Sequence, residues 1–355
     1  MKILITSPSL NVNTNVSGVS AVTNFIIKLN TEHEYIHFEV GKKDDVKRDW
    51  HWFRRLLKMY FKWFKLMCTT SHLIHFNFPV DKRSVIRDAP MIIMAKIMRK
   101  RMVVHLHGGE YLLKEHIPGW IKLMIRCALT GKNPIICLSA TERSHVITAF
   151  KSRNAIELPN AIDLTDAENF TRMIGDDELP TLLFLGRIHL DKGIAYIYEA
   201  LAELKEKGLD FKFIMAGKGP AEDEYNLKFK TLLGDNYEFK GVVSGDSKTT
   251  VFKQCNIFLL PSFWEGLPIA LLEAMSFGLV PVTTDVGAMK TVVLDGKNGM
   301  IVETHSAQGI VNAVKSLSAD KAYMRTLSTN ARDLVFRDYN PRKYIATLNK
   351  IYQYE

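Results

Sequence analysis

Apolar residues along the chain fall into short runs rich in β-branched side chains, each followed by a longer stretch in which they recur every three to four positions. The runs KILIT, YIHFEV, HLIHFNF, MVVHLHG, PIICLSA and AIELP have the length and composition of buried strands. Between them SGVSAVTNFIIKL, the segment near 51–68, DAPMIIMAKIMRK, GWIKLMIRCAL and ATERSHVITAF carry helical periodicity. A polar stretch, DLTDAENFTRMIGDDELP (163–180), interrupts the pattern, which then starts again. TLLFLGRI, FKFIMAG, NYEFKGV, IFLLPS, VPVTT and GMIV read as strands, with GIAYIYEALAELKEKG and a helix over 268–277 among the crossovers. Strict alternation of this kind predicts an α/β protein with parallel sheets covered by helices on both faces, once in each half. The expected division is 1–163, 164–338 and a last helix over 339–355 that packs back on the first domain. Two such doubly wound domains would set a cleft between the carboxyl ends of their strands, where ligands of open α/β sheets bind.

One helix departs from the usual amphipathic balance. Over residues 50–68, WHWFRRLLKMYFKWFKLMC, no acid occurs, and none follows until after Val80. Wound at about 100° per residue, Phe53, Leu56, Leu57, Tyr60, Phe61, Phe64 and Met67 share a face. Trp52 and Trp63 widen that arc, and Arg54, Arg55, Lys58, Lys62 and Lys65 lie opposite. An aromatic face backed by cations alone suits a helix lying in the interface of an anionic membrane. A helix packed on the core with its basic face in water has the same pattern. Single-stranded nucleic acid is disfavoured, because the cations form one stripe without a matching fold.

The charge distribution agrees with that asymmetry. The 355 residues carry a net charge of +9. Residues 1–165 hold 25 Lys and Arg against 13 Asp and Glu, a balance of +12, and the remainder stands at −3. The basic half therefore faces something anionic. The four cysteines stand apart without C-x-x-C spacing, which argues against zinc or a disulfide framework and fits a reducing cytoplasm. No run approaches the length of a membrane span, and the short apolar start MKILITSPSL is a strand rather than a secretory signal.

Two loops carry candidate chemistry. In LFLGRIHLDKGI, Gly186 and Arg187 close a strand and Lys192-Gly193 opens a helix, so two cations and a helix N-terminus converge as they would on a diphosphate. Taken alone, the loop is as readily a solvated turn with incidental basic residues. In SFWEGLPIALLEAMSFG, a helix apolar on every side carries Glu273 in its middle, with Glu265 just before its start. Gly266 permits the entry turn, Pro268 suits the first helical position and Gly278 the stop. A half-buried carboxylate needs partners. An internal ion pair would supply them, and so would a ligand with two vicinal hydroxyls, such as a ribose.

Together GRIHLDKG, PSFWEGLPIALLEAM, GLVPVTTDVGA and DGKNGMIV resemble, in order and spacing, the C-terminal half of the retaining glycosyltransferases of family 4 (glycosyl transferases group 1). SGVSAV, VVHLHG and LPNAID resemble its first half more loosely. The resemblance implies the two-Rossmann GT-B architecture, an acceptor-binding first half and a nucleotide-sugar-binding second half. It gives Arg187 and Lys192 the donor's diphosphate, Glu273 the ribose and Glu265 the hydroxyls of the transferred sugar. Backbone at Gly266 and Leu267 would meet sugar or phosphate, Val243 the base, and Gly18 the phosphates from the first loop. His107 would reach the sugar across the cleft; a satisfied structural histidine, or with His105 a metal pair, are the other readings of HLH.

The family needs no metal or cofactor, and the chain has no D-x-D. The implied donor is a UDP-, GDP- or ADP-sugar. The implied acceptor is a glycan, taken here as a lipid-linked intermediate of bacterial surface polysaccharide at the inner face of the plasma membrane. Asn160-Ala161 and Thr291 depart from the family's usual residues, which bears on the sugar rather than the phosphates. A nucleotide-sugar epimerase, an inverting transferase and a silent nucleotide-sugar-binding scaffold are the alternatives.

Overall fold

A computed structural model describes residues 1–11, 15, 17–41, 50–69, 72–114 and 116–354, with the side chains of 51–53 and 113 excepted. The chain divides into two compact units. One comprises Met1–Asn160 together with Arg342–Glu355, the other Ala161–Pro341.

In the first unit the elements run β1 (Lys2–Ser7), α1 (Gly18–Leu29), β2 (Glu34–Glu39), α2 (Trp50–Thr69), β3 (Leu73–Phe78), α3 (Lys82–Ile97), β4 (Met102–Leu106), α4 (Glu110–Leu113), α5 (Gly119–Leu129), β5 (Ile135–Cys137), α6 (Ala140–Phe150) and β6 (Ala155–Glu157). The strands pair in parallel in the order β2-β1-β3-β4-β5-β6. Order reverses between β1 and β3, so the crevice at a topological switch point opens at their carboxyl ends. β3 and β4 are buried along their whole length, as continuous apolar strands of a parallel sheet must be.

The second unit runs α7 (Thr165–Glu168), β7 (Thr181–Leu185), α8 (Ile194–Glu206), β8 (Lys212–Ala216), α9 (Glu222–Leu233), β9 (Tyr237–Gly241), α10 (Gly245–Gln254), β10 (Ile257–Leu260), α11 (Ile269–Ser276), β11 (Val280–Thr283), α12 (Met289–Val292), β12 (Met300–Ile301), α13 (Ala307–Ala319) and α14 (Lys321–Asp338). Its parallel sheet has the order β12-β11-β10-β7-β8-β9, with the switch between β7 and β10. The last helix, α15 (Pro341–Tyr352), belongs with the first unit from Arg342 onward. Its Asn349 accepts from Asn30 Nδ2 at 2.7 Å, and Tyr352 is fully buried beside His75.

The structure changes two expectations drawn from sequence. Helix α3 begins at Lys82 rather than near Asp88, because Asp81 caps it by accepting the backbone N–H groups of Arg83 and Ser84 at 2.8 and 2.9 Å. Pro90 then sits inside the helix.

The second correction concerns α2. Its inward face is Leu56, Met59, Tyr60, Trp63, Leu66 and Met67, rotated from the face read off the wheel. Trp63 is not on a membrane-facing arc: it is fully buried, edge-on to Phe38 and Phe76 at 5.1 and 5.6 Å between ring centroids, and its indole N–H donates to Met91 O at 3.1 Å. Met67 is buried too, and Tyr60 donates to Arg87 O at 2.7 Å. The apolar arc of α2 is wider than the sheet can cover, so one edge packs inward while Leu57, Phe61 and Phe64 remain outside at 53%, 72% and 49% exposure. Arg54, Arg55, Lys58, Lys62 and Lys65 are all exposed, and the Trp52 side chain lies outside the described residues.

Candidate active site at the switch point of the second sheet

The loops that follow β7 and β10 flank the switch point; Arg187, Lys192 and Glu265 stand on them and Glu273 on the helix α11 that follows. Arg187 is exposed, one residue past Gly186. Its backbone is pinned on either side: Gly186 N–H donates to Ala216 O at 3.1 Å and Ile188 N–H to Lys218 O at 3.1 Å. A short 3-10 turn over Leu190–Lys192 then delivers Gly193 at φ +74°. A Cβ there would lie 2.2 Å from Pro261 O, so only glycine lets the β7 loop close against the β10 loop. That approach puts Lys192 Nζ 2.5 Å from Glu265 Oε1, which also accepts from Ser262 Oγ at 2.9 Å. The pair is mostly shielded, with side-chain exposures of 24% and 11%.

The β10 loop is fixed from its other side. Ser262 O accepts from Thr284 Oγ1 at 2.5 Å, and Gly266 O accepts from Ala288 N at 2.9 Å. Gly287, at φ +58°, comes so close that a Cβ would lie 2.0 Å from Glu265 O. Leu267 is buried and Gly266 half-buried. Pro268, expected from sequence as the first helical residue, is instead the N-cap of α11 with extended ψ of 127°, so the helix starts one residue later at Ile269, and Gly278 follows the helix in the left-handed region.

Glu273 lies half-buried on α11, and its Oε1 accepts from Lys248 Nζ at 2.5 Å. The internal ion pair is thus present. Sequence reasoning named Glu273 and missed Lys248, which lies 25 residues upstream in the first turns of α10. The signal available was the need of a half-buried carboxylate for a cation; no local spacing pointed to its source. Val243 stands half-buried on the loop between β9 and α10. The second unit therefore carries one carboxylate–ammonium pair and an exposed guanidinium on the loops after β7 and β10, and a second such pair on the helices α10 and α11 that follow β9 and β10. Such a set can neutralise phosphate while holding hydroxyl groups.

The first unit carries the remaining candidates. Gly18 is exposed at the first position of α1, and His107 is half-buried just past the end of β4. His107 Nε2 is 2.6 Å from Asn77 Oδ1, and its ring lies tilted by 37° against His105 at 4.2 Å between centroids. His105 Nδ1 is 3.2 Å from His75 Nε2, and His75 Nδ1 is 2.6 Å from the Tyr352 hydroxyl. Burial holds all three rings neutral: it pushes His75 down to about 4 and His107 to about 3, and it sets His105 well below the ordinary histidine value. His105 Nε2 is buried with no hydrogen-bond partner among the described residues. No group of three or more His, Cys, Asp or Glu among the described residues could hold a metal ion.

Two six-stranded, doubly wound parallel sheets with flanking helices make this the GT-B architecture. The chain matches the family described as glycosyl transferases group 1 over residues 166–334. It is 32% identical over 271 residues to the alpha-D-kanosaminyltransferase of Streptomyces kanamyceticus, spanning 70% of this chain and 69% of that one. It belongs to the glycosyl transferases group 1 family. A second relative, the Escherichia coli UDP-Gal:alpha-D-GlcNAc-diphosphoundecaprenol alpha-1,3-galactosyltransferase, is 25% identical over 210 residues, 55% of this chain and 53% of its own. Among solved structures, Anabaena HepE in complex with UDP-glucose superposes with a TM-score of 0.73 at 17% identity, over 99% of this chain and 98% of that one.

Proposed function

We propose that the protein transfers a sugar, with retention of anomeric configuration, from a nucleoside-diphosphate sugar to a lipid-linked glycan acceptor. The observation that carries the reading is the meeting of Lys192 with Glu265 on the loops after β7 and β10, and of Lys248 with Glu273 on the helices α10 and α11 of the same unit. A lysine and an arginine meet the diphosphate. One carboxylate takes the ribose hydroxyls, and the other those of the transferred sugar. The bond from C1 to the phosphate oxygen breaks while the acceptor oxygen bonds C1 on the same face, and the departing phosphate oxygen takes the acceptor's proton. Charge builds on the leaving diphosphate, so Arg187 and Lys192 act most strongly in the transition state. No metal step enters this mechanism, because these two cations supply the counter-charge. Backbone at Gly186, Gly266 and Leu267 approaches phosphate and sugar, and Val243 holds the base.

The acceptor is lipid-linked in this reading, and the enzyme works on the cytoplasmic face of an anionic membrane. Support comes from α2, where Trp50, Leu57, Phe61 and Phe64 are exposed beside five exposed cations. It extends to the neighbouring helices: α2 packs on α3, and α3 on α5, which exposes Trp120, Leu123, Lys122 and Arg126. The sole acid in these three helices is Asp88, buried against Arg87 at 2.6 Å. No helix among the described residues is long and apolar enough to cross a membrane. The relative that acts on a diphosphoundecaprenol-linked sugar agrees with such an acceptor. Thermal-shift titration with UDP-, GDP- and ADP-sugars, followed by NMR of the reaction product, tests the reading. A product of inverted anomeric configuration, or isomerisation of the donor without acceptor, would refute it.

A further inference from the structure

Asn77, the next-to-last residue of β3, is almost fully buried, and sequence reasoning passed over it. Its side-chain Nδ2 is 2.6 Å from Thr6 O and 3.0 Å from Thr23 Oγ1. Thr23 Oγ1 in turn donates to Val19 O in α1 at 2.8 Å, and Asn77's own backbone N–H donates to Thr6 Oγ1 at 3.1 Å. A carbonyl oxygen only accepts, so the group facing Thr6 O must be the amide NH2. Flipping the amide would set two oxygens 2.6 Å apart and lose both bonds. The amide oxygen is therefore fixed toward His107, and the proton in the 2.6 Å contact sits on His107 Nε2.

From this geometry we propose that Asn77 is a positioning residue that locks His107 in its Nε2–H tautomer, so that Nδ1 is a pure acceptor for a hydroxyl of a bound sugar. The inference rests on the glycosyltransferase reading above. Nδ1 has no hydrogen-bond partner among the described residues. A neutral Nδ1 lone pair attracts an O–H and repels phosphate or carboxylate oxygens, which bring only lone pairs. His107 thus selects the hydroxylated part of a substrate over its anionic part. Burial beside His105 and His75 keeps the ring from turning into an imidazolium, which would lose that selectivity.

Long-range 1H–15N NMR of imidazole-labelled protein reads the tautomer directly and needs no substrate. The expected result is the Nε2–H tautomer of His107, unprotonated throughout pH 5–8. An Nδ1–H tautomer, or a ring that titrates near its ordinary value, would overturn the proposal whatever the protein's activity.

Activity on a panel of UDP-glucose, UDP-galactose, UDP-N-acetylglucosamine and GDP-mannose separates the hydroxyl contact. An asparagine amide reaches the position of Nδ1 and a glutamine amide that of Nε2. His107→Asn should therefore retain at least ~10-fold more turnover than His107→Gln, the worth of about one hydrogen bond. Equal losses in the two variants would overturn the sugar contact. Absence of turnover on the whole panel by the wild-type enzyme would sink the glycosyltransferase reading and the hydroxyl contact with it, while leaving the tautomer result standing.

Discussion

The rotated face of α2 makes a sharp prediction, because two aromatic residues two positions apart should behave in opposite ways. Trp63 is fully buried between Phe38 and Phe76 and bonded to Met91 O, whereas Phe61 is 72% exposed. Trp63→Ala removes a packed indole and should cost about 3–5 kcal/mol, the usual range for a buried aromatic reduced to alanine. Part of that is the pair of edge-to-face contacts, about 0.5–1.5 kcal/mol each. Trp63→Phe keeps much of the packing and loses the N–H bond, so about 1–2 kcal/mol is expected. Phe61→Ala should stay within about 0.5 kcal/mol.

For a unit of this size each kcal/mol shifts Tm by about 2–4 °C, so Trp63→Ala should lower the transition of the first unit by about 6–20 °C. Hydrogen exchange resolved by segment can assign the transition to the first unit, which a single melting curve of a two-unit chain cannot. Flotation with anionic liposomes should show the reverse order: Phe61→Ala, Leu57→Ala and Phe64→Ala together weaken binding, and Trp63→Phe leaves it unchanged. Equal stability of Trp63→Ala and Phe61→Ala would refute the packing argument.

Three further outcomes are expected. Arg187→Ala or Lys192→Ala should lower turnover by at least ~10²-fold with the fold intact by circular dichroism; near-normal turnover would remove both from the diphosphate. Replacing Arg54, Arg55, Lys58, Lys62 and Lys65 with Gln should abolish flotation on anionic vesicles, since each cation near such a surface contributes about 1 kcal/mol; unchanged flotation would refute the docking role of α2. The third concerns Glu142, whose carboxyl is buried on α6 and pushed up to about 7 by desolvation, although it accepts from Leu138 N at 2.8 Å. The folded state holds that proton more tightly than the unfolded chain, so the contribution is intact below about pH 4.5 and is lost as pH rises to about 7. Glu142→Gln keeps the acceptor and should flatten that fall, by up to about 3 kcal/mol. The neutral histidines act in the other direction, since their stability is lost as pH drops below about 6.5. Denaturant midpoints of Glu142→Gln and wild type from pH 4.5 to 8 check the sign.

Much of the architecture was legible because parallel sheets write themselves as fully apolar runs. KILIT, HLIHFNF and TLLFL needed no context to be read as strands, and GWIKLMIRCAL and ATERSHVITAF match α5 and α6 residue for residue. Failures came where two local signals competed. Asp88 and Pro90 look like a helix start, yet the cap at Asp81 extends α3 six residues upstream. On α2 the apolar arc was too wide for a wheel to choose its phase, and only the position of Phe38, Phe76 and Met91 decides that Trp63 faces inward. The candidate site was half legible. Glu265 and Glu273 stood out as carboxylates in apolar surroundings, but Lys248 and Asn77 act through contacts 25 and 30 residues away in sequence, which no local pattern encodes.

The central claim, that Lys192 and Glu273 belong to one nucleotide-sugar site, is tested most directly by calorimetric titration of UDP, GDP and ADP into wild type, Lys192→Met and Glu273→Gln. The account predicts that one nucleotide binds the wild type, that Lys192→Met weakens it through the phosphates, and that Glu273→Gln weakens it through the ribose. Unaltered binding in both variants, or no binding of any of the three to the wild type, would contradict it.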